Sequence, residues 1–223
     1  MDVAAELMIK EIVVGVFQEN CWVIGSRRTR EGIVIDPGDE PEKILALARE
    51  MGVHVKLIIN SHAHVDHIMG VRGVQDATGA RFLLHPADLE IARGMPKSAA
   101  RWLGYEPLPP PEPDAPLADG DTVEVDGLQL KVLHVPGHTP GSVAFYTEGL
   151  LFSGDTLFRG SIGRTDLPGG SYEQIMQSII GTLLALPDET VVLPGHMQET
   201  QIGFERQANP FVLQEMQRAT DRR

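Results

Sequence analysis

One cysteine, Cys21, occurs in 223 residues, so an internal disulfide is excluded. It falls in the apolar run Cys21-Trp22-Val23-Ile24, where a free thiol is expected to pack as a small hydrophobe rather than react. Basic side chains are also scarce. There are 19 Lys and Arg against 31 Asp and Glu, a net charge of −12 and a pI of about 5.0. A chain that grips phosphodiester backbones carries a basic footprint, so nucleic acid is not expected as a partner. No apolar run approaches the ~20 residues that cross a bilayer, and no basic-then-apolar leader opens the chain. The expectation is therefore no membrane partner and a cytoplasmic location.

With 42% hydrophobic and 22% charged residues, the chain is long enough to bury a full core, and one domain over 1–223 is expected. Proline crowds one stretch, six of ten residues between Pro107 and Pro116. Proline fixes φ and lacks a donor, which excludes helix and central strand there. The expectation is an extended loop at about 106–117 inside the domain. It is a candidate lid, with Trp102 and Tyr105 nearby as candidate wall residues.

The chain turns on Ser61-His62-Ala63-His64-Val65-Asp66-His67, three histidines and an aspartate within six positions. Val55 to Asn60 before it reads as a buried strand, and Ile68 to Thr78 after it as a helix closed by Gly79. The cluster then sits on a turn at the carboxyl end of a strand, where open α/β sheets hold their ligands. Imidazole nitrogen and carboxylate oxygen suit borderline divalent cations such as zinc, with iron or manganese accepted by the same donors. His62 and His64 can converge on one cation, and Asp66 and His67 can serve a second.

Strands and helices alternate in the first half, which predicts α/β layers. Met8 to Ile24 reads as a hairpin separated by Gln18-Glu19-Asn20, followed by a strand at Gly32–Ile35. Pro41 opens a helix that Gly52 ends, and Pro86 to Arg93 reads as a short helix. In the second half, Asp126-Gly127 and Glu148-Gly149 mark two hairpins. Ser171 caps a helix running to about Leu186, Thr190 to Leu193 is a strand, and the tail from Gln198 is helical with a break at Asn209-Pro210.

Three further donors follow strands. His138 lies on the rigid turn Pro136-Gly137-His138-Thr139-Pro140-Gly141 and is the third ligand for the first cation. Asp155 follows Ser153-Gly154 at a strand end, from which a carboxylate can reach and bridge both cations. His196 follows Pro194-Gly195. His54, His85 and His134 are expected to be structural.

His62-x-His64-x-Asp66-His67, Pro-Gly-His138-Thr-Pro-Gly, Gly-Asp155 and Pro-Gly-His196 together resemble the metallo-β-lactamase superfamily, from about Ile12 to Phe211. The resemblance implies a four-layer αββα sandwich with metals at one sheet edge. It implies one metal on His62, His64 and His138, another on Asp66, His67 and His196, and Asp155 as the bridge. Ser61 stands where Thr is more usual. Gly160 to Ser171 and the ending Ile202-Gly203-x-Glu205-Arg206-x-x-Asn209-Pro210-Phe211 are similar to the glyoxalase II-like branch, which hydrolyses acylglutathione thioesters. The chain departs from that pattern in its short tail. It departs also in Arg164 and Asp166, which stand near where Lys and Tyr are usual, and in Met197-Gln198-Glu199-Thr200. These departures touch the glutathione contacts rather than the metal ligands.

The resulting expectation is a dinuclear metal hydrolase of small-molecule thioesters. A hydroxide shared by two cations is the nucleophile, Asp66 orients it, and Arg164 on its Gly-rich loop contacts an anionic part of the substrate. The alternative is a mononuclear iron persulfide dioxygenase, a branch sharing Gly163-Arg164-Thr165-Asp166, which would use only His62, His138 and Asp155. A scaffold, a β-lactamase and a nuclease are weaker readings.

Overall fold

The computed structural model describes residues 7–221. Two six-stranded sheets lie face to face. The first runs β1 (Leu7–Val14), β2 (Glu19–Ser26), β3 (Glu31–Ile35), β4 (His54–Ile59), β5 (Arg81–Leu84) and β6 (Ala115–Pro116) in spatial order. The second is ordered β14 (Thr200–Gln201), β13 (Val191–Pro194), β10 (Leu150–Gly154), β9 (Val143–Thr147), β8 (Leu128–His134), β7 (Thr122–Val125). The β2–β3 and β8–β9 pairs are antiparallel, whereas β3–β4–β5 and β10–β13 are parallel.

Side-chain alternation builds three apolar layers. Trp22, Ile24, Ile33, Ile35, Phe145 and Phe152 point between the sheets. Cys21, Val23 and Val34 point the other way, onto α1 (Pro41–Met51) and α3 (Val71–Thr78), whose Ile44, Ala48 and Val74 meet them. Ala144, Leu151 and Val192 pack under α6 (Tyr172–Gly181), α7 (Ile202–Ala208) and α8 (Pro210–Asp221). Helix, sheet, sheet, helix is the expected four-layer αββα sandwich. Both faces of each sheet are covered, which explains why the parallel strands read as continuous apolar runs. Among the described residues, no helix is long and apolar enough to cross a membrane.

Several local expectations shift. The hairpin turn occupies Gly15 to Gln18, with Gly15 at φ 65° and Gln18 at φ 55°. Glu19 and Asn20 therefore begin β2, both buried. The helix expected over Ile68–Thr78 divides into α2 (Val65–Ile68) and α3. It breaks at Gly70, whose N–H donates to Pro37 O at 2.9 Å. A Cβ there would sit 2.7 Å from that oxygen, so the close approach requires glycine.

Ser171 caps α6 by accepting from Gln174 N, but the helix ends at Gly181 and a 3-10 turn follows. A helix over Met95–Leu103, α5, was not expected; it follows α4 (Leu89–Arg93) after one glycine. The proline-rich stretch is extended and ends as the edge strand β6. Pro109 O accepts from Arg72, and Glu112 pairs with Arg93, so the stretch lies along the helices and not over the histidine cluster.

Candidate metal centre

Four strands deliver the cluster to one edge, with His138 on the turn that follows β8. β4 ends in the turn bearing His62, His64, Asp66 and His67, β10 in Asp155, and β13 in His196. Backbone bonds knit these ends together: Val143 N to Ser61 O at 2.8 Å, Gly195 N to Gly154 O at 2.9 Å, and Asn20 N to Gly195 O at 2.7 Å. Gly195 has to be glycine, since a Cβ would meet Asp155 Oδ1 at 2.5 Å and His67 Cε1 at 2.6 Å.

All seven expected donors converge. His64 Nδ1 lies 2.8 Å from His138 Nε2, which lies 3.1 Å from His62 Nε2. His196 Nε2 lies 3.3 Å from His67 Nε2 and 3.2 Å from Asp66 Oδ2. Asp155 stands between the two groups, with Oδ1 at 3.4 Å from His67 Nε2, and Oδ2 at 3.6 Å from His138 Nε2 and 3.7 Å from His196 Nε2.

In their neutral forms His62, His67 and His138 turn a lone pair inward, because their opposite nitrogens are committed as donors. Ser61 Oγ gives its only hydrogen to Asp36 Oδ2 at 2.6 Å and so accepts from His62 Nδ1–H at 3.0 Å. His67 Nδ1–H donates to Asp36 Oδ2 at 3.1 Å, and His138 Nδ1–H to Arg164 O at 2.8 Å. Lone pairs facing each other at this spacing repel unless a cation joins them. Nitrogens sharing a tetrahedral zinc stand about 3.3 Å apart. The buried Asp155 Oδ1 has no hydrogen-bond partner. The residues present therefore fit two divalent cations, one against His62, His64 and His138 and one against Asp66, His67 and His196. Asp36 also lies near His62 and His67, but its oxygens are already taken by Ser61 and His67, so it orients ligands rather than being one.

The field divides the two groups. Burial, reinforced by neighbouring imidazoles, holds His62 well below the ordinary histidine value and His64 down to about 4. Burial also opposes charge on His67 and His196. The carboxylates around them win, Asp155 first for His67 and Asp66 first for His196, and both are raised. Burial alone would raise Asp155, yet His67, His138 and His196 hold it well below the usual carboxylate range.

Reading the sequence missed four supports. Asp36 stood in a turn signal, Asp36-Pro37-Gly38, and adopts φ 50°. Asn60 Nδ2 donates to His67 O at 2.6 Å and clasps the ligand turn. Asp88 accepts from Ala63 N, Thr139 Oγ1 and Gly141 N at 3.0, 2.8 and 2.7 Å, tying the His62–His67 turn to the His138 turn. Glu19 lies buried 3.9 Å behind His67 Nδ1 with both oxygens unpartnered, and burial pushes its carboxyl well up. No local spacing marks Asp36, Asp88 and Glu19, which act across the fold, and Asn60 acts within the adjoining turn without a distinctive spacing.

A cavity of about 140 Å³ opens over the cluster, and Phe17, Val65, Trp102, Arg164 and Leu167 are among the residues that line it. Arg164 is bidentate to Asp166, with Nε and a terminal guanidinium nitrogen each 2.8 Å from a carboxylate oxygen. Tyr105 stands behind the wall, its hydroxyl 3.3 Å from Met69 Sδ. His85 and His134 stack on each other at 4.4 Å, away from the cluster.

Fold and donor set define the class. The family model described as the metallo-beta-lactamase superfamily matches residues 14–196, and the chain belongs to that superfamily. An uncharacterised protein of Aquifex aeolicus is 40% identical over 212 residues, 92% of this chain and 97% of its own. Hydroxyacylglutathione hydrolase GloC of Haemophilus influenzae is 34% identical, over 92% of this chain and 97% of its own.

Three solved structures share the fold. The BLEG-1 B3 metallo-beta-lactamase has a TM-score of 0.86 at 34% identity, covering 92% of this chain and 99% of that one. TTHA1623 in a di-iron-bound form has 0.82 at 42%, covering 91% and 99%. ETHE1 from Myxococcus xanthus has 0.77 at 25%, covering 94% and 90%.

Proposed function

We propose that this protein is a dinuclear metal-dependent thioester hydrolase of the glyoxalase II-like branch, acting on small-molecule thioesters such as hydroxyacylglutathione. The observation that carries the reading is the pair of donor sets with Asp155 facing both. His62, His64 and His138 would hold one cation and Asp66, His67 and His196 the other, zinc being the first candidate. Bound there, the cations supply an activated water as nucleophile and positive charge for the developing oxyanion.

The chain's own residues do the rest. Asp36 holds the Nδ1 proton of His67 and, through Ser61, sets the tautomer of His62. Arg164 O does the same for His138. Asp66, beside His196 Nε2, is an acceptor placed to orient the attacking water. Asp66 and Asp155, the carboxyl groups among the cavity's lining residues, are both held below the usual carboxylate value and so stay ionised, and a thiolate leaving group needs no acid, since thiols ionise near pH 8.5. Arg164 is among the residues lining the cavity, and its guanidinium is proposed to meet a carboxylate of the substrate. The likeness to hydroxyacylglutathione hydrolase GloC supports the substrate class.

Metal content per chain of freshly purified protein, measured beside turnover of S-lactoylglutathione, tests the reading. Two equivalents of metal with turnover are expected. One equivalent in a fully loaded protein that leaves thioesters intact would overturn it. A second reading, a mononuclear iron persulfide dioxygenase, rests on the proximity of His138 Nε2 to both His62 Nε2 and Asp155 Oδ2.

A further inference from the structure

Large aromatic side chains in water lose the stabilisation that burial gives apolar area. Two of them stand at the mouth of the same cavity. Phe17, on the β1–β2 turn, is 38% exposed and Trp102, on α5, is 51% exposed. Neither is required by the local structure. The turn is set by Gly15 and Gln18, and α5 buries Met95 and Ala99 rather than Trp102.

The cavity also continues into a narrow crevice between the β1–β2 turn and α5. Phe17, Val65 and Asp66 line both spaces, and Val14, Met69, Leu103 and Asp39 are among the residues that complete the crevice. Apolar side chains thus adjoin the donor cluster and line much of the crevice, beside the carboxylates of Asp66 and Asp39. The cavity is also lined by Arg164, whose guanidinium is paired with Asp166.

We infer that Phe17 and Trp102 grip an apolar arm of the thioester, so that this protein prefers substrates bearing an alkyl or aryl group on one side of the scissile bond. The inference rests on the thioesterase reading for its reaction but on the apolar wall for its selectivity. Contiguous apolar surface beside a reactive centre is how a small-molecule site gains affinity, with a few polar groups fixing orientation. The arm is either the acyl chain or the thiol substituent, and two substrate series separate these.

The metal-loaded protein is assayed with N-acetylcysteamine thioesters of acetate, butanoate and hexanoate, and with acetyl thioesters of ethanethiol and hexanethiol. Along one series kcat/KM is expected to rise about tenfold or more, as partial burial of the added methylenes predicts. Trp102→Ala and Phe17→Ala should each flatten that rise. Two flat series, or a rise undiminished in both variants, would overturn the inference.

Binding is read separately with S-hexyl-N-acetylcysteamine, a thioether with no thioester carbonyl to attack. Trp22 is 7% exposed against 51% for Trp102, so a saturable change in tryptophan emission reports Trp102. That change is expected, with weaker affinity in Phe17→Ala; its absence would overturn the inference. If no thioester is hydrolysed the thioesterase reading fails, and the titration still decides whether the apolar subsite exists.

Discussion

Asp36 Oδ2 accepts the Nδ1 proton of His67 at 3.1 Å and, on the same oxygen, the hydroxyl proton of Ser61 at 2.6 Å. One carboxylate oxygen therefore orients a donor of each proposed cation, His67 directly and His62 through Ser61. Asp36→Asn keeps the volume and tolerates the left-handed backbone but cannot accept both protons as an anion. Loss of such an outer acceptor is expected to weaken metal affinity by about 10–100-fold, read by competition with a chromophoric chelator. Unchanged affinity for both ions would show that the imidazoles are oriented by packing alone.

The pair Arg164–Asp166 gives a two-sided test of the anionic contact. Both side chains are more than half exposed, so their bond contributes little to stability, and a substrate carboxylate can compete for the fork. Arg164→Ala is expected to raise KM for carboxylate-bearing thioesters more than for neutral ones. Asp166→Asn, by releasing the guanidinium, should lower KM for the carboxylate-bearing set. Steady-state kinetics on matched acidic and amide thioesters check this, and equal changes on both sets would remove the role.

The fold was legible in the sequence where one residue type had one reason to be there. Paired Asp126-Gly127 and Glu148-Gly149, the Pro41 and Gly52 helix ends and the buried runs of β3, β4 and β10 all mark elements locally. The convergence of the seven side chains was legible because each follows a strand, and β4, β8, β10 and β13 end at one edge. Helix α5 was not, because it is short and lies between Arg93 and the prolines, and its buried Met95 and Ala99 form no long stripe. Asp36, Glu19 and Asp88 were not, because their partners lie between 25 and 53 positions away and only the closed fold selects them; Asn60, with partners 2 and 7 positions on, carries no distinctive spacing of its own.

Metal binding should respond to pH unequally at the two donor sets. In the metal-free protein His67 and His196 are raised above the ordinary histidine value, so protons occupy the nitrogens a cation needs. His62 is held well below it and His64 at about 4, so these two rings are already neutral at pH 7. Raised groups hold their protons until pH exceeds their shifted values, so affinity at Asp66, His67 and His196 rises with pH and falls on acidification. The set of His62, His64 and His138 is expected to keep its ion on going from pH 7.5 to about 5.5, while the other set loses its ion. Metal content after equilibration at stepped pH checks this; simultaneous loss of both ions, or first loss from the His64 set, contradicts it.

His196 separates the two enzymatic readings. Its Nε2 lies 3.2 Å from Asp66 Oδ2, 3.3 Å from His67 Nε2 and 3.7 Å from Asp155 Oδ2, the arrangement of a group that shares a cation with all three. In the hydrolase reading His196→Ala removes a ligand of the second cation. Metal content should then fall from two towards one, and the loss of charge stabilisation should lower kcat by roughly 10²-fold or more. In the dioxygenase reading the iron needs only His62, His138 and Asp155, so the substitution leaves metal content at one per chain. His62→Ala damages either enzyme and cannot discriminate. Full thioesterase activity in His196→Ala contradicts the dinuclear assignment. Oxygen consumption with glutathione persulfide by the native protein, with thioesters untouched, transfers the site to the dioxygenase reading. The geometry favours the hydrolase: an imidazole brought to the same point as His67 and Asp66, beside a buried carboxylate oxygen without a partner, has no role in a site that ends at three ligands.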